Sequence, residues 1–158
     1  MTSAKSIYKF QCKCGANHLE IKGEPAMRAV CHCHHCQEYN QAAYGDFVVY
    51  RRNQIDSMTD ASLDYKSFSK PPMVKRGTCS NCGTPLMEKV NIPLFPDMVF
   101  IPVVNHPNQA ELPEAEMQMF THRRVENPGE HIKSYSGYYG SEIPFVLKLI
   151  RSLWKQAG

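Results

Sequence analysis

The sequence lacks any apolar run approaching the roughly 18 residues of a membrane-spanning helix. Met1 to Cys14 carries no apolar stretch of signal-peptide length. There is no internal repeat of solenoid length and no low-complexity tract. Neither sign of charge dominates: 18 Lys+Arg stand against 15 Asp+Glu, a net of +3. The basic residues are scattered, whereas nucleic-acid binding usually needs a concentrated basic face. These absences predict a cytoplasmic protein with no membrane span and no nucleic-acid partner. The 158 residues fit one domain. A chain of this length buries roughly 70% of its unfolded surface, so its core needs no disulfide staples.

Turns and sulfur are what the sequence has in quantity. Eleven prolines and nine glycines mark many chain reversals. Seven cysteines fall in three clusters and none is isolated. Cys12 and Cys14 form C-x-C, Cys31, Cys33 and Cys36 form C-x-C-x-x-C, and Cys79 and Cys82 form C-x-x-C. An odd count leaves one thiol over in any pure disulfide framework. In a reducing compartment disulfides are rare, and clustered cysteines are more often metal ligands.

The periodicity predicts a mainly β protein. Tyr8, Phe10 and Cys12 alternate with polar residues, as do Leu19 and Ile21, and the Lys13–Gly15 turn joins them as a hairpin. Phe47–Tyr50 and Leu63–Phe68 read as strands, and Met98–Val104 as an edge or bent strand because of Pro102. Gly23-Glu24-Pro25, Pro71-Pro72 and Pro93 to Pro96 break the strands. Helices are expected at His34–Gln41 and, short, at Pro113–Phe120. Gly129–Gly140 reads as a flexible connection. Beyond it Ile143, Val146, Leu147, Ile150 and Trp154 recur at helical spacing, with Phe145, Leu149 and Leu153 widening the apolar face. Lys148, Arg151 and Lys155 sit toward the C-terminal end of this amphipathic helix, where positive charge suits the helix dipole. It is expected to pack on its own domain or on a second subunit; a basic amphipathic helix on a membrane surface is the alternative.

A structural zinc site closes a tetrahedron with four ligands, whereas a catalytic site keeps three and leaves one position open. Gly15 follows Cys14 and Gly83 follows Cys82. A metal knuckle turns the backbone tightly after its second thiolate, and glycine permits the positive φ such a turn often needs. Cys36 is followed by Gln37 and lacks this mark. Cys12, Cys14, Cys79 and Cys82 are therefore expected to form one closed site across about 65 intervening residues. Cys31, Cys33 and Cys36 remain for an open site suited to activating water or an external thiol. Three readings compete for the trio: His32, His34 or His35 supplies a fourth ligand, the thiols cycle through disulfides, or the cysteines are buried and inert.

Cys12-Lys13-Cys14-Gly15, then Cys31-His32-Cys33-His34-His35-Cys36, then Arg76 through Cys79-Ser80-Asn81-Cys82-Gly83 to Leu86 resembles the glutathione-dependent formaldehyde-activating enzyme family, which includes centromere protein V-like proteins. The resemblance covers Ser6 to Val104 and uses every cysteine. It implies a β-tent fold of small antiparallel sheets and two zinc ions per chain. One ion would be structural, on Cys12, Cys14, Cys79 and Cys82, and one catalytic, on Cys31, Cys33 and Cys36. The implied activity joins formaldehyde to the glutathione thiol, a carbon–sulfur lyase reaction in reverse. Two stretches depart from the family pattern: Gln37-Glu38-Tyr39-Asn40 replaces Arg-x-x-Gly, and Val103-Val104-Asn105-His106 replaces a Gly-Ser-Leu-Asp-like stretch.

The expected organisation is a zinc-binding β domain over residues 1–128, then a linker and C-terminal helix over 129–158 through which the protein could form a homo-oligomer. The partners are glutathione or another small thiol and a small aldehyde. His34, His35 and Tyr39 are candidate proton donors. Arg28, Arg51, Arg52, Lys75 and Arg76 are candidate clamps for the glutathione carboxylates. A non-catalytic zinc module that binds a protein through Tyr135–Tyr139 and the terminal helix is the first rival reading. A redox or metal-handling protein is the second.

Overall fold

The computed structural model of the chain describes residues 5–59, 62–68 and 73–157; the expected Pro71-Pro72 break lies outside them. In chain order the strands are β1 (Ile7–Gln11), β2 (His18–Lys22), β3 (Met27–Cys31), β4 (Gly45–Arg51), β5 (Ile55–Thr59), β6 (Leu63–Lys66), β7 (Val74–Cys79), β8 (Pro85–Val90), β9 (Met98–Pro102) and β10 (Met117–Met119). The helices are α1 (His34–Asn40) and α2 (Tyr138–Ala157). The protein is mainly β, as expected. The chain forms two compact units. The first takes the chain up to Pro25 and Val49–Leu112, and the second takes Ala26–Val48 and the chain from Pro113 onward. The second unit thus draws on both sides of residue 128.

In the first unit, alternation does what the sequence implies. Tyr8 and Phe10 of β1 and Leu19 and Ile21 of β2 point inward, while their neighbours along each strand are exposed or half-buried. Burying each such side chain contributes roughly 1.5–3 kcal/mol. The strands pair antiparallel from Ile7 opposite Lys22 to Gln11 opposite His18, and β5 adds to β2. The other strands of this unit run β9-β8-β7-β6. β9 has β4 and β8 as neighbours, so it is not an edge strand; Pro102 is its last residue, where a missing N–H costs no ladder bond.

The second unit differs from four expectations. No helix forms over Pro113–Phe120. Met117–Met119 is a strand parallel to β3, with Met117 opposite Ala29 and Met119 opposite Cys31. All three of its residues are buried, the pattern of a strand covered on both faces rather than of a helix stripe. The segment before α2 is tied down rather than free: Gln118 N donates to Lys133 O, Tyr135 N to Gln118 O and Thr121 N to Tyr135 O. The helix also begins earlier, at Tyr138, and the face it buries is the narrower one. Ser141, Phe145, Leu149 and Leu153 are buried, whereas Ile143, Leu147 and Trp154 remain exposed.

This division of α2 has a consequence for stability. Leu149→Ala should cost about 2–5 kcal/mol, because a side chain 1% exposed leaves a cavity. Leu147→Ala should change stability by no more than about 0.5 kcal/mol. Urea unfolding of the two variants measures the difference, and equal losses would mean that the faces are assigned wrongly.

Candidate metal centres

The four-sulfur cluster lies within the first unit. Cys12 follows β1, and the turn after it is closed by Gly15 N donating to Cys12 O; Cys79 ends β7, and Gly83 N donates to Cys79 O. Gly15 and Gly83 both have φ of +74°, and an added Cβ would meet nothing within 4 Å at either. The backbone conformation, not crowding, calls for glycine there. The two loops are matching knuckles facing each other.

The sulfurs of Cys12, Cys14, Cys79 and Cys82 all lie within 4.8 Å of one another. Cys12 Sγ is 3.5 Å from Cys14 Sγ, which is 3.7 Å from Cys79 Sγ. A tetrahedron with zinc–sulfur bonds of about 2.3 Å has sulfur–sulfur edges of about 3.8 Å, so the cluster fits zinc. Neighbouring donors suit thiolates. The buried Asn17 directs Nδ2 to Cys79 Sγ at 3.2 Å and its backbone N–H to Cys12 Sγ at 3.4 Å. Thr84 Oγ1 lies 3.0 Å from Cys82 Sγ. Its hydroxyl bond, then its backbone N–H, pulls the exposed Cys82 thiol down to about 5.

The three-sulfur cluster lies within the second unit and is built locally. Cys31 ends β3, Cys33 is the N-cap of α1 and Cys36 lies in its first turn. Cys33 Sγ takes the acceptor role that a serine or threonine oxygen plays at other N-caps, receiving Cys36 N–H at 3.4 Å. That capping geometry gathers the C-x-x-C sulfurs, and the strand end supplies the third. The three sulfurs lie within 4.8 Å of one another, with Cys31 and Cys36 buried and Cys33 half-buried. Cys31 is pushed well above its ordinary value, first by its hydrogen bond with Cys33 and also by burial. Three thiolates this close cannot all ionise without a counter-cation, and a divalent ion is the donor set's natural complement.

Among the described residues, no histidine or carboxylate joins either sulfur group. His32 is fully buried, and its Nε2 lies 2.9 Å from Gln118 Oε1. Gln118 Nε2 donates to the carbonyls of Gly129 and Ile132, which leaves Oε1 to accept the His32 N–H. Burial lowers the pKa of His32, so its ring stays neutral. His34 and His35 are exposed, and His34 Nε2 lies 3.1 Å from Arg123 Nη1. Tyr39 is buried.

Two of the candidate clamps are committed elsewhere. Arg28 makes a two-pronged bond to Asp46, at 2.9 and 2.7 Å, and donates to Pro113 O. Arg76 is 8% exposed, 3.5 Å from Glu88 and over the Phe68 ring. Arg51 starts a 3-10 turn, with its backbone N–H on Gln54 Oε1. Arg52 and Lys75 stay exposed and line a cavity of about 250 Å³ in the first unit with Lys89.

Sequence reasoning missed Arg123, which follows no motif, and Glu142 on α2. The Glu142 carboxyl is held above its ordinary value, first by burial and then by the charge of Cys33. Both departures from the family pattern have structural work. Gln37 Nε2 bonds the carbonyls of His32 and Arg123, and Asn105 Nδ2 bonds Pro85 O while His106 packs edge-on against Phe10.

The fold and its sulfur sets define a mainly β protein with two thiolate clusters, each able to hold a metal ion. The family model described as "Glutathione-dependent formaldehyde-activating enzyme" matches residues 7–123, and the chain belongs to that family. A search among proteins of curated function gave no match. In fold the chain is similar to the crystal structure of a Rhodobacter sphaeroides protein, with 20% identity and a TM-score of 0.52 over 68% of this chain and 96% of that one.

Proton competition offers a test of the Cys82 environment. Alkylation of the metal-free protein should show Cys82 ionising with a midpoint of about 5. Thr84→Val removes the leading donor, so the midpoint should rise toward the ordinary thiol value of about 8.5. A ligand with a higher pKa yields to protons earlier, so the metal-loaded variant should also release its ion at higher pH than the wild type. Peptide mapping of alkylation against pH reads the first effect, and an unchanged midpoint would remove Thr84 from the account.

Proposed function

We propose that the protein joins a small thiol, glutathione by family, to a small aldehyde such as formaldehyde, and runs the reverse carbon–sulfur cleavage at the same site. Zinc is the ion proposed for both clusters. The observation that carries this reading is the inequality of the two sulfur sets: four converge in one, three in the other, and among the described residues no histidine or carboxylate joins the three. Cys12, Cys14, Cys79 and Cys82 brace the knuckles, and Cys31, Cys33 and Cys36 are the reactive set. Zinc held by three thiolates would supply an open position and Lewis acidity that lowers the pKa of an incoming thiol.

The chain's own groups do the rest. Addition of a thiol to an aldehyde is redox-neutral: one carbon–sulfur bond forms, the carbonyl π bond opens, and the thiol proton ends on the new hydroxyl. That proton needs a carrier. His34 is engaged with Arg123 and Tyr39 is buried, and Glu142 is the candidate the surroundings favour. Glu142, kept toward its neutral form by burial and by Cys33, can both hold and return a proton. Arg123, 3.1 Å from His34 in the same unit as the trio, is the cation proposed to meet a glutathione carboxylate. The proposed setting is cytoplasmic, where glutathione is abundant.

Cys33→Ala is the decisive variant. It should fold, judged by circular dichroism, and carry one metal ion fewer than the wild type. Labelled formaldehyde exchanging with its glutathione adduct can be followed by NMR line broadening. The wild type should accelerate exchange beyond the spontaneous rate, and Cys33→Ala should return it to that rate. Equal acceleration by both proteins would take the chemistry away from the trio.

A further inference from the structure

α2 is apolar on two sides, and only one is covered. Ser141, Phe145, Leu149 and Leu153 form the buried side. Ile143, Leu147, Ile150 and Trp154 follow a 4-3-4 spacing, which at 100° per residue gathers them within about 60° of arc, opposite the buried side. Ile143 is 56% exposed, Leu147 61% and Trp154 77%, and Ile150 between them is half-buried. Tyr139, 74% exposed, extends the stripe by a turn, giving a ridge about 22 Å long. Single exposed apolar residues are ordinary, but a continuous ridge of this kind marks an interaction surface.

Charge identifies the partner. Lys148, Arg151 and Lys155 all lie along one flank of the ridge. Glu142, the acidic residue of α2, is half-buried on the other side. Two copies packed antiparallel through the ridge would bring each cationic flank against the same flank of its mate. A parallel pair would set it against Val146, with no carboxylate to meet. A second copy therefore leaves three cations without counter-charge. A tryptophan and a tyrosine on the ridge, with lysine and arginine beside it, form the composition of a helix lying in a lipid headgroup layer. The ridge also lies outside residues 7–123, which the family shares.

We propose that the outer face of α2 docks on an anionic membrane surface. Ile143, Leu147, Ile150 and Trp154 enter the headgroup–acyl boundary, and Lys148, Arg151 and Lys155 meet lipid phosphates. The inference is independent of the reaction proposed above.

Trp154 is the only tryptophan of the chain, so its fluorescence reports this face alone. The metal-loaded, full-length protein is titrated with vesicles of phosphatidylcholine, with and without phosphatidylglycerol. A blue shift and co-flotation with the anionic vesicles only, weakening as salt rises, are expected. Reversing all three cations to glutamate should weaken partitioning on the order of 100-fold or more. Leu147→Asp should also abolish the shift, with an unchanged circular dichroism spectrum. Absence of a shift with anionic vesicles would overturn the proposal. So would equal binding to neutral vesicles. Sedimentation gives the third contrary result: a lipid-free dimer dispersed by Leu147→Asp would assign the ridge to a second copy.

Discussion

Thiolates held close in a poorly polarisable interior repel one another, and a cation is what would offset that repulsion in each cluster. Cys31 shows the constraint directly, since its proton is held by neighbouring sulfur and by burial. Cys82 shows the opposite case, an exposed sulfur stabilised as an anion by Thr84. Each compact unit contains one cluster. A divalent ion in each would convert a local electrostatic cost into a cross-link: between two knuckles in the first unit, and between a strand end and a helix start in the second.

The two clusters differ because their backbones differ. Each knuckle spends a glycine at positive φ and aims backbone and side-chain donors at sulfur, which favours a closed, unreactive centre. The trio uses the N-cap of a seven-residue helix, where Cys36 N–H is directed at Cys33 Sγ. The buried His32 bonds Gln118 through Nε2, and neither ring nitrogen falls within the group of three sulfurs.

What was legible in the sequence was local. The β1–β2 hairpin, α1 and the knuckle glycines all rest on contacts within about 15 residues, and they stand where periodicity and turn chemistry put them. β10 was not legible, because Met117–Met119 owes its form to a parallel partner about 90 residues earlier. The buried face of α2 was misjudged because both faces are apolar, and only packing decides between them. Arg28 and Arg76 looked available for a substrate until Asp46 and Glu88, invisible as partners in one dimension, claimed them. Glu142 was missed for the same reason: nothing on a lone C-terminal helix reveals that its carboxyl is buried and feels the charge of a cysteine more than 100 residues away.

Zinc-edge X-ray absorption on the purified protein addresses the central claim most directly. With four sulfurs around one ion and three around the other, the account predicts a mean near 3.5 sulfurs per zinc, with a lighter atom in the remaining position. Glutathione should raise that mean toward four. A mean of four from the outset, in a protein holding a single ion or with a histidine-free closed second site, would contradict the division between a saturated quartet and an open trio.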